Sequence, residues 1–173
     1  MYLGNIPVSG FGNFPIKEKI RLKMDEIDKR ILNELQKDAK LNMKALASEL
    51  NLSKSPLYER VKQLEDGGYI RRYAAVVDKD KVGKPLVVFC RLSVSAHNHE
   101  SYARFVEEIL KIDEIVECYS IGGEYDLLLK IILEDLNAYD KFRFEKLTCI
   151  QGIAKINTTV TIREFKNDPY IKI

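Results

Sequence analysis

The run Tyr119-Ser120-Ile121-Gly122-Gly123-Glu124-Tyr125-Asp126 holds residue types suited to binding a small zwitterion. Gly122 and Gly123 carry no side chain, so their backbone N–H groups can approach a carboxylate without obstruction. Asp126 supplies the negative charge that an ammonium group would meet. Tyr119, Ser120 and Thr158 can complete such a pocket beside Glu124, Tyr125 and Ala154. Ala154 is small and uncharged, so it identifies no effector side chain. The same residues also read as a plain hairpin turn in which Asp126 is a satisfied loop carboxylate.

A second set lies between Lys54 and Arg72. At 100° per residue Leu57, Val61 and Leu64 fall on one apolar stripe. Ser55, Glu59 and Lys62 lie opposite, flanked by Tyr58 and Gln63, all types that hydrogen-bond or stack against base edges. Lys54 sits at a helix N-terminus, where backbone N–H groups also favour phosphate. Arg60 borders the apolar stripe and reads either as a DNA contact or as a structural ion-pair partner. Arg71 and Arg72 can touch phosphates beside the helix, as a short wing does, or stand as solvated charges.

Other constellations fail. His97 and His99 form a bare H-x-H with no third ligand at convincing spacing, so no metal site is expected. No nucleophile pairs with a base, and no Walker-type phosphate loop is present. The ferredoxin-like fold argued below hosts many functions, yet a helix-turn-helix in the same chain argues against an enzyme, and no cofactor is expected. Cys90, Cys118 and Cys149 are scattered and odd in number, which suits reduced thiols in the cytoplasm.

The elements that position these residues can be read from caps and periodicity. Ile27, Ile31, Leu32 and Leu35 give an amphipathic helix from Asp25. Asn42 caps a second helix, with Leu41 and Leu46 as its hydrophobic staple. Asn51 and Leu52 make a tight turn, Ser53 caps a third helix, Pro56 falls in its first turn, and Gly67-Gly68 closes it. Two short helices joined by a tight turn, the second exposing a polar face, form a helix-turn-helix pattern, which points to DNA. Tyr69–Val77 reads as a β-rich strand, and Asp78–Lys84 as a polar hinge. The second half reads as strand Leu86–Val94, helix Glu100–Leu110, strands Ile115–Ile121 and Tyr125–Leu133 around the Gly-Gly turn, helix Asn137–Leu147, and a strand alternating Ile156, Thr158, Val160 and Ile162. That order is the βαββαβ split unit. Its open sheet face predicts a homodimer.

Over 173 residues the net charge is only +2, but it divides unevenly. Residues 1–73 hold 14 Lys+Arg against 10 Asp+Glu, and residues 74–173 hold 14 against 16, balances of +4 and −2. A basic head on an acidic body fits a DNA-binding head. No apolar run approaches membrane-spanning length, and no secretory core region opens the chain. The division expected is a flexible extension over 1–23, a helix-turn-helix domain over 24–73, a linker or hinge over 74–85, a ferredoxin-like oligomerisation and effector domain over 86–165, and a tail over 166–173. The extension ends in the basic run Lys17, Lys19, Arg21 and Lys23, read as an arm toward DNA or a neighbour, or as an unstructured lead before Met24.

From Met24 to about Phe165 the chain resembles the leucine-responsive, or feast/famine, regulatory proteins of the Lrp/AsnC type. The resemblance rests on MDEIDKRILNELQKDAK, on LSKSPLYERVKQLEDGGYIRRY and on ECYSIGGEYDLLLK, the last being the most specific. It implies an α+β protein with a winged helix-turn-helix head, a β linker and a ferredoxin-like C-terminal domain that dimerises and often assembles into octamers. It further implies an amino acid or related effector bound between dimers and a role in transcription. The alternative expectation is a metabolite-sensing protein whose helical head contacts protein and not DNA.

Overall fold

The computed structural model describes residues 24–95 and 98–173, the side chain of His99 excepted. The arm expected over residues 1–23 and the H-x-H pair of His97 and His99 therefore lie outside the described residues, save for the His99 backbone. The chain divides into two compact units. One gathers the described residues up to Val76 together with Lys166–Ile173, and the other is Val77–Phe165.

The head is built from α1 (Glu26–Lys37), α2 (Met43–Glu49) and α3 (Lys54–Asp66). Asp25 caps α1 in a reciprocal box with Asp28: the Asp28 N–H donates to Asp25 Oδ1 at 2.8 Å, and the Asp25 N–H to Asp28 Oδ2 at 3.1 Å. Asn42 caps α2 by accepting from Lys44 N and Ala45 N. Ser53 occupies the N-cap position of α3 but makes no side-chain cap bond. Both short helices end alike. Asn51, at φ 55°, takes the left-handed conformation after α2, and Leu52 N donates to Ala47 O at 2.9 Å. Gly68, at φ 77°, does the same after α3, and Tyr69 N donates to Leu64 O at 2.9 Å. These six-to-one bonds satisfy carbonyls that the helix ends leave open, and Asn and Gly tolerate the required φ. Ile31, Leu32 and Leu35 pack with Leu46, Ala47, Leu50, Leu57, Val61 and Leu64 in one buried cluster.

The strand expected over Tyr69–Val77 is corrected. Tyr69 and Ile70 pack against the head core, and residues 71–77 are exposed and join no ladder. A β-rich run needs a neighbour to bond to, and the described chain provides none there. Asp78 Oδ1 then accepts from Asp80 N and Lys81 N, forming the polar turn that leads to the sheet domain.

The sheet domain runs β1 (Leu86–Val94), α4 (His99–Leu110), β2 (Ile115–Ser120), β3 (Leu127–Leu133), α5 (Leu136–Phe142) and β4 (Ile153–Val160). The final turn expected of α5 is instead a π-helical turn over Arg143–Leu147. Strand order is β2-β3-β1-β4, with every neighbouring pair antiparallel. Side chains alternate across the sheet. Val88, Cys90 and Leu92 of β1 pair with Ile131, Leu129 and Leu127 of β3, all buried against Phe105 and Ile109 of α4 and against Tyr139, Phe142 and Leu147. The other face carries Phe89, Arg91, Leu128, Lys130 and Ile132. The β2–β3 hairpin is wider than a Gly-Gly turn alone, spanning Ile121–Asp126 and closed by Ile121 N donating to Asp126 O at 2.9 Å. Among the described residues no helix is long and apolar enough to cross a membrane.

Candidate nucleic-acid interface and ligand turn

Helix α3 presents two faces of opposite character. Leu57, Val61 and Leu64 are buried at 0%, 8% and 4% exposure, whereas Lys54, Ser55, Tyr58, Glu59, Lys62 and Gln63 are exposed. Lys54 Nζ lies 5.6 Å from the centre of the Tyr58 ring, so the two make one cationic, stacking-capable patch. Among the described residues neither Lys54 nor Lys62 makes an ion pair, and the same holds for Arg71 and Arg72. Their charges are thus available to phosphate. Tyr73 Oη donates to Glu65 Oε1 at 2.7 Å, pinning the exposed Arg71-Arg72 segment to the C-terminal part of α3. Burial, and next the Glu65 carboxylate, push the Tyr73 hydroxyl up to about 12, so it keeps the proton it donates at physiological pH.

Arg60 leaves this set. Its guanidinium Nη1 donates to Asp25 Oδ2 at 2.8 Å and to Asp28 Oδ1 at 2.7 Å. It therefore locks α3 onto the capping box of α1 and has its charge committed inside the head.

The turn residues gather at one end of the sheet. Gly123 adopts φ 129°, while Gly122 has ordinary φ, and a Cβ built at either would meet no atom within 4 Å. Asp126 Oδ2 accepts from Val94 N at 2.7 Å, and Asp126 N donates to Leu92 O at 2.8 Å. Glu124 accepts from Lys155 Nζ at 2.5 Å, and that ammonium holds the Glu124 carboxyl below the usual carboxylate range. Lys155 and Arg91 also lie 5.1 and 6.0 Å from the centre of the Tyr125 ring, which is buried. Ala154 stands beside Lys155 on β4 and is exposed. Lys155, Ser93 (whose Oγ donates to Glu124 O at 3.2 Å) and Val94 bond to the turn, and sequence reasoning missed them. No local pattern marks partners some thirty positions apart in the chain.

Two expected members stand apart. Thr158 pairs with Cys90 along β4, and its hydroxyl lies 2.5 Å from the Tyr139 hydroxyl, away from the turn. Tyr119 pairs with Leu128 on the sheet face opposite the helices and donates to Glu117 Oε2 at 2.7 Å. Ser120 is exposed where β2 ends. A cleft of about 870 Å³ does lie in this domain, lined by Val94, Ser101, Arg104, Glu108, Lys111 and Lys146 among others; it meets the turn only through Val94, since no residue of Ile121–Asp126 lines it. Within one chain the turn is open to solvent. Among the described residues no group of three or more His, Cys, Asp or Glu side chains is disposed to hold a metal.

Comparison with known proteins agrees with both halves. Residues 24–71 match the winged helix-turn-helix DNA-binding family and residues 87–171 the Lrp/AsnC ligand binding domain. The leucine-responsive regulatory protein of Escherichia coli (strain K12) is 34% identical over 143 residues, covering 83% of this chain and 87% of that protein. The DNA-binding transcriptional activator DecR of the same strain is 31% identical, covering 83% and 94%. Among solved structures, an AsnC family transcriptional regulator from Agrobacterium tumefaciens superposes with a TM-score of 0.81 at 32% identity, over 86% of this chain and 96% of that one. A transcriptional regulator from Neisseria meningitidis, solved as its L-Met complex, gives 0.80 at 30% identity over the same shares. With its exposed recognition helix, its βαββαβ sheet domain and these relatives, the chain belongs to the Lrp/AsnC family of DNA-binding transcriptional regulators.

Proposed function

We propose that the protein regulates transcription as a homodimer whose two α3 helices enter successive major grooves, and that an amino acid or related metabolite tunes it. The observation that carries the DNA reading is the exposed cationic face formed by Lys54, Tyr58 and Lys62, without an ion pair among the described residues, on a helix whose opposite side is fully packed. A two-fold axis sets the groove spacing, because recognition helices must lie about one helical turn apart. The sheet face carrying Phe89, Leu128 and Ile132 is the surface for the two-fold mate.

The effector reading rests on the turn. Gly122 and Gly123 leave backbone donors uncovered, and Asp126 brings a carboxylate to the same place. Because the turn is open within one chain, a second dimer would complete the pocket, and the ligand would then bias which assembly is populated. Assembly to an octamer would bridge several operators. The N. meningitidis neighbour binds L-Met, so amino acids are the first class to test.

Duplex binding measured against salt tests the DNA half: log affinity should fall steeply and linearly with log salt. A head that contacts protein alone would give no specific duplex complex. Light scattering tests the dimer, and a mass of one 20.0 kDa chain at micromolar concentration would remove the two-groove arrangement. A thermal-shift screen against the twenty amino acids tests the effector half separately.

A further inference from the structure

Helix α1 uses its outer face to read a peptide backbone. Gln36 Oε1 accepts from Ile171 N at 2.8 Å, and Gln36 Nε2 donates to Ile171 O at 3.0 Å. One side-chain amide thus satisfies both backbone groups of one residue, as a neighbouring strand would. One turn earlier Asn33 does likewise with its two ends. Its Oδ1 accepts from Tyr170 Oη at 3.1 Å, and its Nδ2 donates to Ile173 O at 3.4 Å. Asp168 Oδ1 accepts from Tyr170 N at 3.0 Å ahead of the clasp, and Pro169 fixes φ between them. Ile171 remains 70% exposed, so backbone recognition and not burial of its side chain holds that residue, while Tyr170 is half-buried.

The place of this clasp in the chain gives it a consequence. The chain leaves the head unit after Val76 and rejoins it at Lys166, so the sheet domain is inserted into the head and tied to it twice. Both ties start from one end of the sheet. β1 begins at Leu86, β4 ends at Val160 opposite Val88, and Thr161 N donates to Val87 O at 3.0 Å. The Gly122-Gly123 turn lies at the other end, where Asp126 meets Val94. β4 spans the interval, with Lys155 bonded to Glu124 at the turn end and the tail leaving from the far end.

We propose that the outer face of α1, centred on Asn33 and Gln36, is a docking surface for the segment Tyr170–Ile173, and that this strap is the second tie through which the sheet domain restrains the DNA-binding head. A head held at two points explores fewer positions than one held at the Val76–Val77 junction alone. In a dimer that restraint raises the effective concentration of the second head once the first is bound. The strap's effect on DNA therefore rests on the two-groove dimer proposed above, whereas the docking itself does not.

The test uses the full chain, a version ending after Phe165, Gln36→Ala, and Lys172→Ala as a control whose side chain takes no part in the clasp. Hydrogen exchange reads docking. α1 amides should exchange about fivefold faster in the shortened chain and in Gln36→Ala, and at the wild-type rate in Lys172→Ala. Affinities for a paired-site duplex, selected from random sequence by the wild type, and for its isolated half-site read the restraint. The advantage of the paired over the half-site should fall about tenfold in both clasp variants, with half-site affinity unchanged. Unchanged α1 exchange in both variants overturns the docking. A paired-site advantage kept at the wild-type value overturns the restraint. Should the wild type itself show no paired-site advantage, the dimer reading fails, the restraint fails with it, and exchange alone decides the docking.

Discussion

The Asp126 carboxylate accepts the backbone N–H of Val94 at 2.7 Å, at the point where the β1–β4 ladder shifts register between Ser93 and Val94. The Val94 N–H faces β3 beyond the last ladder pair, Leu92 with Leu127, and Asp126 Oδ2 satisfies it. The described residues make no hydrogen bond to Oδ1. One carboxylate therefore has a structural oxygen and an oxygen still open to a ligand.

That division separates two effects of mutation. Asp126→Asn keeps a carbonyl acceptor for Val94, so the unliganded melting temperature should change little. It removes the charge that would meet an ammonium, so amino-acid affinity should drop by about ten- to a hundred-fold. Asp126→Ala should lose both, with a stability cost of about 1.5 kcal/mol, or several degrees in a domain of this size. Calorimetry and thermal melts on both variants read the two effects. An Asn variant that binds like wild type would return Asp126 to a purely structural role.

Gly122 and Gly123 separate turn from ligand in the same way. A Cβ at Gly122 meets no atom within 4 Å and no unusual φ, so Gly122→Ala should leave the melting temperature unchanged. Any loss of amino-acid binding in that variant then reports a ligand that needs the bare backbone. Gly123, at φ 129°, should cost about 1 kcal/mol or more as Ala whatever the ligand, and more as Val, because of backbone conformation alone. Full amino-acid binding by Gly122→Ala would argue for a plain turn.

On α3, Lys62→Ala and Tyr58→Ala should weaken duplex binding with dimer mass and melting temperature unchanged, since both side chains project away from Leu57 and Val61. If Lys62 meets a phosphate, the slope of log affinity against log salt should also fall by about one unit. Fluorescence anisotropy across a salt series measures both. Wild-type binding by both variants would move the DNA face elsewhere on the head.

Much of this was legible in the chain. The cap at Asn42, the closure at Gly67-Gly68 and the stripe Leu57, Val61, Leu64 set the head, because capping and amphipathic periodicity are local. The alternation in β1 and β3 set the sheet. The misses are non-local. Tyr69–Val77 has strand-forming residues, yet a strand is a relation to a neighbour that composition does not carry. Thr158 alternates with Asn157 and Thr159 as a strand residue should, but only the register with Cys90 and the approach of Tyr139 place its hydroxyl away from the turn. Lys166–Ile173 reads only as a tail because the amides that bind it, Asn33 and Gln36, precede it by 135 residues or more. Arg60 was ambiguous by face, and its partners Asp25 and Asp28 resolve it.

Arg60 gives the head a pH dependence of defined sign. The Asp28 N–H, and after it the Arg60 guanidinium, hold the Asp25 carboxyl below its usual range. A carboxyl whose folded pKa lies below its unfolded value stabilises the fold above the unfolded pKa, and that contribution is lost as pH falls through the folded one. The melting temperature of the head should therefore begin to decline below about pH 5, where an unfolded aspartate starts to take up its proton, and keep declining as pH falls through the lowered folded value. Arg60→Ala should melt several degrees lower than wild type near neutral pH, since Asp25 and Asp28 lose a shared cation between α1 and α3. Its melting curve should also flatten with pH, while retaining the share of the effect owed to the Asp28 N–H. Lys62→Ala, on the same helix but in no ion pair among the described residues, should reproduce the wild-type pH profile. If Arg60→Ala matched wild type in both melting temperature and pH slope while losing duplex affinity, Arg60 would belong with the DNA-facing set after all.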